Sequence, residues 1–174
     1  MTRIILRTGA IALSTVLLAG CSTLGIGGNK TGADTAYVAR DVGTLYNAAK
    51  DRLDKRQYTT AAALFDEVER QHPYSPWARR AQLMSAFSYY MDADYPKAIE
   101  SAQRFLAIHP GNKDAAYAYY LIGVSHYEQI ADVRRDQSTP EQALAALGEV
   151  QRRYPNTRYA ADAALKIDLV NDHL

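Results

Sequence analysis

A single cysteine, Cys21, excludes any intramolecular disulfide. Charge of one sign is also scarce. With 20 Lys and Arg against 19 Asp and Glu, the formal net charge is +1, so no basic excess draws the chain onto nucleic acid. There is no Gly-rich phosphate loop between a strand and a helix, no His-Glu-x-x-His and no Cys pair, so phosphoryl chemistry and zinc lose their usual ligands. His126 has Glu128 nearby, but residues i and i+2 point apart on a helix. Asp132, Arg134, Arg135 and Asp136 read as a solvated, mutually compensating loop. No recognised catalytic geometry can be assembled, so the expectation is a protein that is no enzyme and holds neither metal nor cofactor. Strand-type alternation is missing throughout, which leaves an all-α chain.

The one apolar run near the start, Thr8 to Leu18, is interrupted by Ser14 and Thr15 and is too short to cross a bilayer. Arg3 and Arg7 precede it and small residues follow, the layout of a secretory signal over residues 1–20. Without those two arginines, 18 basic residues face 19 acidic ones and the remainder carries a net charge of −1. Leu18-Ala19-Gly20-Cys21 resembles the bacterial lipobox, in which the Cys is lipid-modified and becomes the new N-terminus. That resemblance implies a diacylglyceryl and an N-acyl lipid on Cys21, several chains being needed for stable anchoring. Ser22, rather than Asp, fits export to the outer membrane, where the lipid anchor holds the protein facing the periplasm. Residues 21–36, with Gly25, Gly27, Gly28 and Gly32 among Ser and Thr, form a flexible tether. Its root-mean-square span is roughly 20 Å.

From residue 37 to 174 the pattern repeats. Ala61, Ala98 and Ala143 each lie twelve residues before a proline, Pro73, Pro110 and Pro155. Apolar residues at helical spacing fill each interval, as in Ala98, Ala102, Phe105 and Leu106. The copies are 37 and then 45 residues apart, which places an eight-residue insertion in the third. A period in the mid-thirties with a helix, a proline stop and another helix is the signature of tetratricopeptide-type hairpins. About three hairpins plus one further helix are expected, stacked in a right-handed superhelix. Seven helices are predicted over Ala36–Lys55, Thr59–Gln71, Pro76–Met91, Tyr95–Ile108, Lys113–Ala131, Pro140–Arg153 and Arg158–Asp172. Ser75 before Pro76, Thr139 before Pro140 and Thr157 before the last helix supply caps.

Counting from Pro73 and Pro110 puts Ala86 and Gly123 where the two helices of a hairpin cross, the place Ala49 takes in the first copy. His72, His109 and Tyr154 then share a hinge position, which speaks for packing rather than metal ligation. On the repeat's usual geometry the inner face receives Tyr46, Lys50 and Leu53, then Leu83, Phe87, Tyr90 and Met91, then Tyr117, Tyr120, Val124 and Tyr127. Five of the 13 tyrosines fall there, an aromatic trough suited to an extended peptide. Lys50 or Arg80 at its edge is placed to receive a terminal carboxylate.

The string from Tyr37 to Leu174 carries His72-Pro73-Tyr74-Ser75, a helix Ala81–Tyr90 ending in a Tyr pair, and Tyr95-Pro96-Lys97-Ala98. Further on come Ala131-Asp132-Val133-Arg134-Arg135-Asp136-Gln137 and Arg153-Tyr154-Pro155 followed by Tyr159-Ala160. With the lipobox, this resembles the BamD family of outer-membrane assembly lipoproteins over nearly the whole chain. The resemblance implies a non-enzymatic member of the β-barrel assembly complex. Its partners are then the barrel-forming subunit, other lipoproteins of that complex and unfolded outer-membrane clients, whose C-terminal signal its N-terminal repeats recognise. That family carries about five hairpins. This chain stops at Leu174, and the apolar Leu165, Ile167, Leu169 and Val170 make truncation the expectation. The rival readings are another tetratricopeptide envelope lipoprotein, for pilus assembly or for organising peptidoglycan synthesis, and a purely structural envelope tether. The Asp132 to Asp136 insertion and the two His-Pro hinges disfavour the first, and the aromatic trough disfavours the second.

Overall fold

A computed structural model describes residues 41–130 and 138–172. The signal, Cys21, the tether and the Asp132 to Asp136 insertion lie outside the described residues. Among the described residues seven helices follow one another: α1 Val42–Asp54, α2 Tyr58–Gln71, α3 Pro76–Met91, α4 Tyr95–Ile108, α5 Ala115–Gln129, α6 Ser138–Arg153 and α7 Arg158–Asn171. No strand occurs among the described residues.

Local chemistry explains most boundaries. Ser75 and Thr157 accept hydrogen bonds from the amides of Ala78 and Ala160, so two of the three expected caps form. Asp41 and Asp94 cap α1 and α4 in the same way. α5 starts two residues later than the periodicity predicts, because the Asn112 side chain accepts from the Asp114 amide at 2.8 Å and holds a turn there. α6 starts two residues earlier, with Thr139 and Pro140 inside its first turn rather than at its threshold. In the turns α1–α2 and α3–α4, Arg56 and Ala93 take left-handed backbone, φ 58° and 60°. They are 37 residues apart, so the repeat keeps one turn geometry at a strain of about 1 kcal/mol without glycine.

The hinge is equally periodic. The amides of His72, His109 and Tyr154 donate to Val68, Phe105 and Val150, and their carbonyls accept from Ser75, Asn112 and Thr157. The prolines that follow cannot continue the helices.

Packing repeats in columns. Ala61, Ala98 and Ala143 are fully buried, as are Phe65, Ala102 and Leu147 one turn on. Against them lie Ala49, Ala86 and Gly123, the last so close that a Cβ there sits 2.7 Å from Leu147 Cδ2. Leu106 departs from the expected buried face and stays half-exposed. Each helix packs on the next, α3 also touches α1 and α5, and α5 touches α7. The described backbones of α2, α4 and α6 do not approach one another. The odd-numbered helices therefore form the tighter, inner layer, and clefts open between the even-numbered ones.

Candidate peptide-binding face

The inner layer is aromatic because α5 carries Tyr117, Tyr120 and Tyr127 one and then two turns apart, with Tyr90 of α3 and Tyr159 of α7 beside them. Tyr117 and Tyr120 stand one turn apart with ring centroids 6.5 Å apart, and Tyr159 of α7 lies 5.3 Å from each. Tyr90 packs on Tyr95 at 5.9 Å. Tyr127, one turn beyond Val124, is covered by the Lys166 ammonium 5.3 Å from its ring centre. All of these rings are half-buried, and Tyr90, Tyr117, Tyr120 and Tyr127 rest on the larger of the two apolar cores.

Two of the hydroxyls are already committed across repeats. Tyr120 donates to Asp162 Oδ2 at 2.5 Å and Tyr90 to Glu128 Oε1 at 3.3 Å. Lys166 Nζ pairs with the same Asp162 oxygen at 3.3 Å. The electrostatics follow. Burial, then the nearby Glu128, pushes the Tyr90 phenol up to about 12. Burial also raises Tyr117 and Tyr120, and the Asp162 partner adds to the rise at Tyr120. The Tyr120 hydrogen bond, helped by Lys166, holds Asp162 below its ordinary value. At neutral pH the Tyr90, Tyr117 and Tyr120 phenols stay neutral, and at Tyr90 and Tyr120 an incoming chain meets rings whose hydroxyls are already taken.

At the N-terminal ends of α3 and α5 the layer opens into a pocket of about 630 Å³, where Trp77, Leu83 and Tyr117 supply apolar walls. Arg79, Arg80 and Lys113 line it against one carboxylate, Asp114. The Arg80 guanidinium lies 6.0 Å from the Trp77 ring centre, and its charge works against the rise that burial gives the Tyr46 phenol. A hydrophobic ring beside a carboxylate fits such a lining, since an arginine offers a planar pair of donors to an anion.

The sequence-predicted residues divide. Tyr90, Tyr117, Tyr120 and Tyr127 share one face, and Arg80 sits in the adjoining pocket. Tyr46 is corrected to core: it is 7% exposed, with its ring 5.4 Å from Phe65 and 4.8 Å from Trp77. Val124 is core too, and Phe87 packs half-buried on the core edge. Lys50 is exposed and its ammonium is held by Asp54 at 2.6 Å. Sequence reasoning missed Trp77, Lys113, Tyr159 and Asp162. For Tyr159 a signal existed, because the spacings of 37 and 45 residues put it in register with Trp77, the only tryptophan.

Comparison with known proteins adds four matches. Residues 39–174 match the family YfiO, outer membrane lipoprotein. The chain is 48% identical over 174 residues to the outer membrane protein assembly factor BamD of Caulobacter vibrioides, covering 100% of this chain and 57% of that protein. It is 41% identical over 162 residues to the protein of the same name from Rickettsia prowazekii, covering 93% and 63%. The chain thus spans less than two thirds of the length of these relatives. Among solved structures, the C-terminal TPR-containing domain of a Plasmodium falciparum FK506-binding protein superposes with a TM-score of 0.55 at 18% identity. That match covers 78% of this chain and 89% of that domain, and it establishes a tetratricopeptide-type fold.

Proposed function

The chain belongs to the YfiO family of outer membrane lipoproteins, and from that premise we propose that it works in outer-membrane protein assembly by holding the C-terminal segment of an unfolded β-barrel client. The observation that carries this reading is the inner face itself, a row of half-buried tyrosine rings ending in the cationic Trp77, Arg80 and Lys113 pocket. A client strand laid along the rings would place a terminal aromatic side chain against Trp77 and Leu83 and its carboxylate beside Arg80. Lys50, tied to Asp54, is the lesser candidate for that carboxylate. Binding is passive recognition, and the client passes on to a barrel-forming partner in the assembly complex.

The test is fluorescence anisotropy with a labelled decapeptide ending in Phe, as the free acid and as the amide. Tyr120→Ala is expected to weaken the acid about thirtyfold, some 2 kcal/mol for one aromatic anchor. Tyr120→Phe should bind like the parent, because its hydroxyl serves Asp162 and not the peptide. Arg80→Gln should reduce binding of the acid and leave the amide unchanged. Equal binding of acid and amide, or full affinity in Tyr120→Ala with an unchanged circular dichroism spectrum, excludes this face.

We further propose that Cys21 carries the lipid anchor on the periplasmic side of the outer membrane. One acyl chain binds a membrane marginally and reversibly, so a diacylglyceryl plus an N-acyl group is the arrangement that holds. Growth with a radiolabelled fatty acid should label the parent protein and leave Cys21→Ala unlabelled and free of the membrane fraction. Label retained by Cys21→Ala refutes the assignment.

A further inference from the structure

The two clefts between even-numbered helices are built on the same register and filled in opposite ways. Between α2 and α4, over α3, the chain closes the cleft with its own polar side chains. Asp66 accepts from the Ser85 and Tyr89 hydroxyls, Glu69 accepts from Gln82, and Arg104 reaches Glu69 at 3.4 Å and Asp66 at 3.9 Å. Moving on by one repeat, Asp66, Glu69, Ser85, Tyr89, Glu100 and Arg104 become Gln103, Leu106, Ile122, His126, Ala145 and Glu149. All six replacements line an open groove of about 830 Å³ between α4 and α6, together with Ile99 and Ala146. Its floor, Tyr119, Ile122 and His126, lies on the side of α5 turned away from Tyr117, Tyr120 and Tyr127.

We propose that this groove binds an extended, uncharged, apolar segment of another polypeptide, independently of the tyrosine face. Charge decides the chemistry of the occupant. The one carboxylate on the rim, Glu149, is committed to Arg152 and Arg153, and Arg153 also lies 5.2 Å from the centre of the Tyr119 ring. Burial holds the His126 imidazole below its ordinary value, hence neutral. An ionised side chain entering the groove would lose water and meet only charges already paired with one another, Glu149 with Arg152 and Arg153. The chain's own stretch 131–137, with four charges, has the wrong composition. Extended rather than helical form follows from the rim amides. Gln103 of α4 and Gln142 of α6 both line the groove and are exposed. Each offers a donor and an acceptor, which a helix has no use for and an extended backbone needs.

The probe is an acetylated, amidated octapeptide of alternating leucine and serine with a fluorescein label, titrated by anisotropy against the full chain in detergent. Saturable binding is expected. It should weaken at least tenfold in Ala145→Glu, and severalfold in the double variant Gln103→Ala, Gln142→Ala. It should be unchanged in Tyr120→Ala. Ala145 is exposed on a helix, so the Glu variant keeps its fold, which circular dichroism checks. The proposal is overturned by no binding below millimolar peptide, by undiminished binding in Ala145→Glu, or by loss in Tyr120→Ala, which would put the peptide on the inner face. Tighter binding of a helix-stapled leucine peptide would overturn the extended form. Self-association in sedimentation that Ala145→Glu abolishes would make the occupant a second copy.

Discussion

Gly123→Leu is expected to lower stability by about 3 kcal/mol, the upper part of the range for overpacked cores and a large share of the roughly 5–15 kcal/mol that holds a domain folded. α5 and α6 touch where Gly123 meets Leu147, and a Cβ on Gly123 lies 3.1 Å from Leu147 Cγ and 3.3 Å from the Leu147 backbone nitrogen. A side-chain terminus can rotate aside, but the nitrogen moves only if α6 moves. Alanine is the ambiguous substitution, since its better helix propensity, about 1 kcal/mol, works against the clash. Leucine adds three carbons that have nowhere to go. Gly148, inside α6, is the control, because a Cβ there meets nothing within 4 Å. Gly148→Ala should therefore stabilise by about 0.5–1 kcal/mol. Urea unfolding followed by circular dichroism reads all three, and adding Leu147→Ala to Gly123→Leu should recover part of the loss if the two side chains collide. An unchanged midpoint in Gly123→Leu would mean that the helices do not cross at this residue.

Gly123 was legible in the sequence because one chemical demand recurs. Two helices that cross closely need a small residue on each, and Ala49, Ala86 and Gly123 answer Ala61, Ala98 and Ala143, each of the latter twelve residues before a proline. The caps at Ser75 and Thr157 are local and equally readable. Departures arise where a side chain outside the pattern intervenes. Asn112 delays α5, and Arg56 and Ala93 turn left-handed with no glycine to announce it. The repeat's usual geometry puts Tyr46 in the trough, but Trp77 and Phe65 enclose it, and those neighbours come from two other helices. The partners of the tyrosine hydroxyls are also distant: Glu128 is 38 residues from Tyr90 and Asp162 is 42 from Tyr120. No helical periodicity links such pairs. The α4–α6 groove escapes for a different reason. Each of its residues is ordinary alone, and only superposing the repeats shows apolar Leu106, Ile122 and Ala145 standing where the preceding repeat has Glu69, Ser85 and Glu100.

Alkaline pH should dismantle the array through its tyrosines. Burial is the leading cause of a raised phenol at Tyr89, Tyr90, Tyr117 and Tyr120, and carboxylates reinforce it at Tyr89, Tyr90 and Tyr120 through Asp66, Glu128 and Asp162. The ordinary value is 10.0, and Tyr90 is pushed up to about 12. A group whose folded value is raised stabilises fully below its unfolded value, and the benefit disappears as pH climbs through the folded one. Between pH 10 and about 12 the folded chain keeps phenol protons that the unfolded chain has released. Each fully shielded tyrosine then contributes a slope of about −1.4 kcal/mol per pH unit. Tyr90 and Tyr120 are partly exposed, so water screens them and their share is smaller; Tyr117 is the most buried and should contribute most. The sum is on the order of several kcal/mol by pH 12, enough to threaten a domain of ordinary stability. Urea midpoints measured at half-unit steps from pH 8 to 12, with phenolate absorbance read on the same samples, would show the fall beginning near pH 10. Tyr117→Phe keeps the ring and deletes the proton, so its stability should decline less steeply by up to one proton equivalent. A slope identical to the parent's would mean that the Tyr117 hydroxyl is open to solvent and that its ring, too, is free on the inner face.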